Sequence, residues 1–139
     1  MEHQDIIAMA RELGKKIQEE ESYLKYRIAK QAADEDEELQ TLIDEFDRTR
    51  TRVSIEASKN EEERNPEQIR ELNREMRAVY AKIMTNERMI NYNEAKGEFD
   101  VVAKRVLAII QQSAEGEDPE TTDYTPSCSG SCASCGGCG

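Results

Sequence analysis

Four cysteines crowd the last twelve residues: Cys128, Cys132, Cys135 and Cys138, spaced C-x3-C-x2-C-x2-C. A cysteine thiolate is both a nucleophile and a soft metal ligand. Four of them converge on one centre only if the backbone wraps tightly around it. Gly130, Gly136 and Gly137 are interspersed among them and allow the dihedrals that such wrapping needs. Their amide N–H groups are also free to point at sulfur, which tunes a bound cluster.

Zinc ribbons place two C-x2-C pairs far apart, each forming its own knuckle. Here C-x2-C-x2-C runs without a gap. Bacterial 4Fe–4S proteins use a similarly compact run, although their x3 gap follows the triplet and here it precedes it. The fourth cysteine of such a run can serve another cluster, which leaves Cys128 the least constrained of the four. The expected cofactor is an iron–sulfur cluster, 4Fe–4S by spacing, with Cys128, Cys132, Cys135 and Cys138 as its ligands. Zinc or another soft ion is the alternative. Free or redox-active thiols in a chain end are the third reading.

Other chemistry finds little material. His3 is the single histidine; at the N-terminus it is poorly placed for a Ser-His-Asp triad. A bundle di-iron site needs Glu-x-x-His twice. Asp34, Asp36 and Glu38 imitate the start of a calcium loop, but its sixth position is Leu39 and the pattern then turns helical, so a helix cap and a solvated acidic face are expected. There is no glycine-rich phosphate loop and no visible nucleophile–base pair, which points away from an enzyme. Arg48, Arg50 and Arg52 do not share a helical face. Arg70, Arg74 and Arg77 do, but Glu67, Glu71 and Glu75 interleave with them, as in surface ion pairing. With 30 acidic against 19 basic residues the net charge is −11, so direct nucleic-acid binding is opposed by the chain's own field. A basic protein partner is not opposed.

The elements that would carry the cysteines are helical. Residues 1–113 hold all 19 basic residues and one proline, Pro66, whereas residues 114–139 hold no Lys or Arg. The expected organisation is a helical body over 1–113, an acidic linker over 114–127 and a cysteine-rich tail over 128–139. If flexible, the linker has a mean span of ~20 Å, so the tip can reach beyond the body or dock back on it. Within the body, Ile6, Ala10, Leu13 and Ile17 recur at helical spacing. Leu24, Ile28 and Ala32 form a weaker second stripe, and Leu39, Leu42, Ile43, Phe46, Val53 and Ala57 a third. Asp34 and Glu37 stand where a capping box would start that third helix. Asn65 can cap a fourth, with Pro66 at its first position and Gln68 completing the box. Ile69, Leu72, Met76, Val79 and Ile83 then line one seam, and Tyr92, Ala95, Phe99, Val102, Val106 and Ile109 another. A cap at Asn86 between them gives a fifth helix and an antiparallel hairpin; one rod from Pro66 to Ser113 is the competing reading.

Five narrow stripes cover one another poorly in one small bundle. Each fully buried Leu or Ile contributes ~1.5–3 kcal/mol, against ordering costs of ~1–2 kcal/mol per residue. A partner chain is therefore expected to complete the core, most simply a second copy. No apolar run approaches the ~20 residues of a spanning helix. The start MEHQDIIAMA lacks a basic segment followed by an apolar one, so a cytoplasmic chain without membrane insertion is expected. In the cytosol, reduced thiols favour metal over disulfide.

The stretch IIAMARELGKKIQEEESYLKYRIAKQAADEDEELQTLIDEF, then NPEQIRELNREM and NERMINYNEAKGEFDVVAKRVLAII, resembles the YlbF/YmcA family of small helical regulators over about residues 5–112. The marks are the Ile-x3-Ala-x2-Leu opening, the Asn-Tyr-Asn-Glu-Ala segment at 91–95 and the Gly- and Cys-rich end, since YlbF-type members carry a cysteine-rich C-terminus. The resemblance implies an all-α fold of about five helices that self-associates. It also implies a cytoplasmic, non-enzymatic bacterial regulator. In that family YlbF, YmcA and YaaT proteins form a complex carrying 4Fe–4S clusters, which acts with RNase Y in mRNA processing and influences competence, biofilm formation and sporulation. Cys128, Cys132, Cys135 and Cys138 match the family's cluster-ligand tail. The function expected is a regulatory adaptor. A small electron-transfer or metal-handling protein, or a plain helical oligomer with a metal-free tail, is the alternative.

Overall fold

The structure, a computed structural model, describes residues 3–126. The four cysteines, and with them the expected ligand set and tail flexibility, lie outside the described residues. The described residues form five helices: α1 (Gln4–Glu19), α2 (Glu21–Glu35), α3 (Glu37–Ala57), α4 (Pro66–Thr85) and α5 (Glu87–Ala114). No strand occurs among the described residues, and the fold is all-α as expected. Residues up to Glu98 form one compact unit and those from Phe99 onward a second.

Single extended residues separate most of the helices. Glu20, Asp36 and Asn86 have ψ of 137°, 105° and 131°, too extended to continue a helix. At Asp36 and Asn86 the side chain also starts the next helix. Asp36 Oδ1 accepts the Leu39 N–H at 2.9 Å and Asn86 Oδ1 accepts the Met89 N–H at 3.1 Å. Each satisfies an amide that a helix start would leave unpaired. The cap of α3 is thus Asp36 and not Asp34, which instead receives Lys30 Nζ at 2.8 Å. The break at Asn86 also rules out one rod from 66 to 113. Asn65 caps α4 as expected, accepting from the Glu67 and Gln68 amides at 3.1 and 3.2 Å ahead of Pro66.

The antiparallel hairpin lies one step earlier than expected, between α3 and α4. Glu56 meets Asn65, Phe46 stacks near Tyr80 with ring centroids 6.1 Å apart, and Leu39 packs with Val79 and Ile83. At the tip, Glu56 is only 8% exposed. Its carboxylate accepts Lys59 Nζ at 2.8 Å and the Asn65 N–H at 2.9 Å, and these bonds hold its pKa below the usual range, Lys59 first. At the base, Ala33 of α2 joins Leu39, Val79 and Ile83, with Leu42, Ile43, Phe46, Met89 and Tyr92 packed around them. The core therefore sits where the Asp36 and Asn86 breaks bring four helices together. The α4 seam is buried as its periodicity predicts, through Leu72, Val79 and Ile83. The α2 stripe is not: Leu24 and Ile28 are exposed, and Ala33 is the residue that α2 buries.

In the second unit α5 ends in a Schellman motif. Glu117 N–H bonds to the Gln112 carbonyl at 2.9 Å and Gly116 N–H to that of Ser113 at 3.1 Å. Gly116 sits at φ 98°, a left-handed conformation that glycine adopts without steric cost.

Candidate functional site

Two features of the described residues bear on function. The first is apolar surface without cover. α1 has no buried residue; Ile6, Ile7 and Met9 are exposed, and Leu13 lies at the margin. Ile6, Ala10, Leu13 and Ile17 share one helical face, so the stripe read from the sequence exists but meets nothing that buries it. In the second unit Val101, Leu107 and Ile110 are also exposed. Apolar side chains left exposed together on one helical face mark interaction surface.

The second is the segment after α5, read from the sequence as a linker. As far as Tyr124 it is docked on α5. A turn forms first: the Thr121 and Thr122 amides donate to the Asp118 carbonyl at 3.2 and 3.0 Å, and the Glu120 amide to Asp118 Oδ1 at 3.0 Å. Arg105 then grips the Asp123 carboxylate, with Nε at 3.0 and 3.1 Å from its two oxygens and Nη2 at 2.8 Å from Oδ2. Gln112 Nε2 donates to the Asp123 carbonyl at 2.9 Å, while the Thr122 hydroxyl donates to Gln112 Oε1. Lys104 Nζ lies 5.9 Å from the centre of the Tyr124 ring, within cation–π range. The Arg105 bond, followed by the Tyr124 amide, holds the Asp123 pKa below the ordinary carboxylate range, and Asp123 in turn raises that of Arg105. Residues 117–124 form a strap held on α5 by these contacts.

The remaining polar groups have local explanations. Tyr26 and Tyr92 pack with ring centroids 5.8 Å apart. Burial and then the Tyr26 hydrogen bond push the Tyr92 hydroxyl up in pKa. A cavity of about 190 Å³ beside them is lined by Lys30, Ala33, Leu39, Ile43, Met89 and Tyr92, among others. Of the arginines read as surface pairs, Arg74 meets Glu71 at 2.9 Å; Arg50, outside that set, lies 3.4 Å from Asp47. Among the described residues no group of three His, Cys, Asp or Glu side chains is placed to hold a metal ion, and no helix is long and apolar enough to cross a membrane. The strap residues Arg105, Gln112, Asp123 and Tyr124 escaped the sequence reading. Gly116 and Asp118-Pro119 are residues that favour a turn, but no periodicity links positions 105 and 123.

The family model described as Control of competence regulator ComK, YlbF/YmcA, matches residues 6–114. Among solved structures, the X-ray crystal structure of Bacillus subtilis RicA in complex with RicF is similar, with a TM-score of 0.70 and 20% identity. The match covers 81% of this chain and 95% of that one, and it shows a shared fold. No curated protein matches the chain.

Proposed function

The chain belongs to the YlbF/YmcA family, and on that footing we propose that it is a non-enzymatic regulatory adaptor of the cytoplasm that works inside a multi-protein complex. The observation that carries this reading is the uncovered apolar face of α1, in a chain whose own core is small. RicA is seen with RicF; a comparable partner, or a second copy, would bury Ile6, Met9 and Leu13 here. By family resemblance the partners are YmcA- and YaaT-like proteins, and the complex serves RNase Y-dependent mRNA processing and the developmental programmes of competence, biofilm formation and sporulation.

The cofactor proposed is an iron–sulfur cluster, 4Fe–4S, on Cys128, Cys132, Cys135 and Cys138. The donor set fits: four soft thiolates within eleven residues, separated by small residues and free of competing histidine. When bound, such a cluster supplies sensitivity to oxidation and to iron supply. The chain's own part is to present the cysteines from a helical scaffold and to offer apolar faces to partners. Sedimentation of the full-length protein with purified YmcA- and YaaT-like proteins of the same host tests the adaptor reading. A stoichiometric complex at micromolar concentration is expected. A boundary unchanged by the partners would overturn it.

A further inference from the structure

We infer that the groove between α2 and the start of α5 receives α1 of a second copy of this chain, the two copies exchanging α1 reciprocally. The inference rests on reading the uncovered face of α1 as an interaction surface and names what covers it. The groove, of about 230 Å³, is lined by Lys25, Ile28, Ala29, Ala32, Arg88 and Asn91. The four α2 residues recur at the three- and four-residue spacing of one helical face. Ala29 and Ala32 leave the space that larger side chains would fill. A cavity of ~150 Å³ holds a benzene ring, so this groove holds a branched aliphatic side chain. Ile28 is 71% exposed, so the chain's own helices leave the groove open.

α1 carries the complement. Its stripe presents the large side chains Ile6, Leu13 and Ile17, and along one edge of that stripe Asp5, Glu12 and Glu19 recur every seven residues. The described residues that line the groove include two cations, Lys25 and Arg88, and no carboxylate. An acidic edge thus meets a basic one, in a chain whose net charge of −11 otherwise sets copies apart. Within one copy Glu12 lies 2.9 Å from Lys15, Glu19 lies 3.7 Å from Lys16, and Lys25 lies 3.4 Å from Glu21, all on exposed side chains. Exposed pairs of this kind contribute little, so they give way readily to pairs across an interface. The chain's own α1 is not the occupant: it joins α2 through one extended residue, Glu20, and buries nothing. Exchange about a twofold axis uses both surfaces of both copies and closes the assembly at two.

The test is sedimentation equilibrium of the full-length chain and two charge-reversed variants. A groove variant carries Lys25→Glu with Arg88→Glu, and a helix variant carries Glu12→Lys with Glu19→Lys. All four positions are exposed, so the helices stay intact by circular dichroism. Wild type is expected to dimerise at micromolar concentration. Each variant alone sets like charges face to face, which should raise its dissociation constant at least about tenfold. An equal mixture restores opposite charges at both contacts and should associate within about threefold of wild type. Variants that dimerise as wild type does, or a mixture that stays monomeric with its helices intact, would overturn the pairing of α1 with this groove. Monomeric wild type would overturn the second copy as partner. It would leave the adaptor reading standing, since that reading is tested with YmcA- and YaaT-like proteins.

Discussion

Replacing Ile6 and Met9 together by Gln should weaken association without unfolding the chain. The two side chains are 68% and 72% exposed, and α1 buries nothing, so the folded subunit loses little when they change. Gln is a good helix former and keeps α1 intact. Full burial of an Ile or Met side chain contributes ~1.5–3 kcal/mol. Covering the exposed two-thirds of each is then worth ~1–2 kcal/mol, and losing both costs ~2–4 kcal/mol at an interface. That corresponds to a dissociation constant raised roughly thirtyfold to a thousandfold. Sedimentation equilibrium over a concentration series measures it, for the chain alone and with a family partner. Arg11→Gln, on the opposite side of α1, should leave association unchanged. If the double variant associates within about threefold of wild type while its helical signal is preserved, α1 is not the interface and the argument from its exposed stripe fails.

Leu39→Ala removes a large side chain that is fully buried, at 1% exposure, from the meeting point of α2, α3 and α4; it should cost ~2–5 kcal/mol, seen as a lower urea midpoint with an unchanged slope. Gly116→Ala places a Cβ at φ 98°; it should cost on the order of 1–2 kcal/mol and speed exchange in the strap while leaving α3 and α4 untouched. Asp123 has a folded pKa below its free value of ~3.9, so docking is fully stabilised above that pH and is lost as pH falls through the lower folded pKa. Strap protection should therefore disappear on acidification into that range, read by exchange at matched chemical rates; protection that persists through it would contradict the Arg105–Asp123 anchor.

How much of this was visible beforehand depended on whether the signal was local. Asn65-Pro66 carries its own start signal, and α4 begins there. Local spacing places the cap of α3 at Asp34, whereas Asp36 caps it. Capping at Asp36 lets Leu39, three residues on, donate its amide to the cap while its side chain enters the core with Val79 and Ile83, a tertiary demand that a local box does not contain. The α1 and α2 stripes were legible as stripes, but an apolar face reads alike whether its cover belongs to the same chain or another. The long seams of α4 and α5 suggest a hairpin between them or one rod, whereas the loop at 58–65 folds α4 onto α3. The strap was hidden most completely, since its composition is that of a solvated linker and its anchor joins residues 18 apart. The cysteine spacing is plain in the sequence, and the cysteines lie outside the described residues.

Purification of the full-length protein from its native host without oxygen, with iron, acid-labile sulfide and zinc assayed per chain alongside the visible spectrum, addresses the cysteine site most directly. The account predicts a coloured protein containing iron and sulfide in equal amounts, both lost in Cys135→Ser. Colourless protein with four freely titrating thiols and no bound metal would contradict it, and zinc without sulfide would replace the cluster with a structural ion.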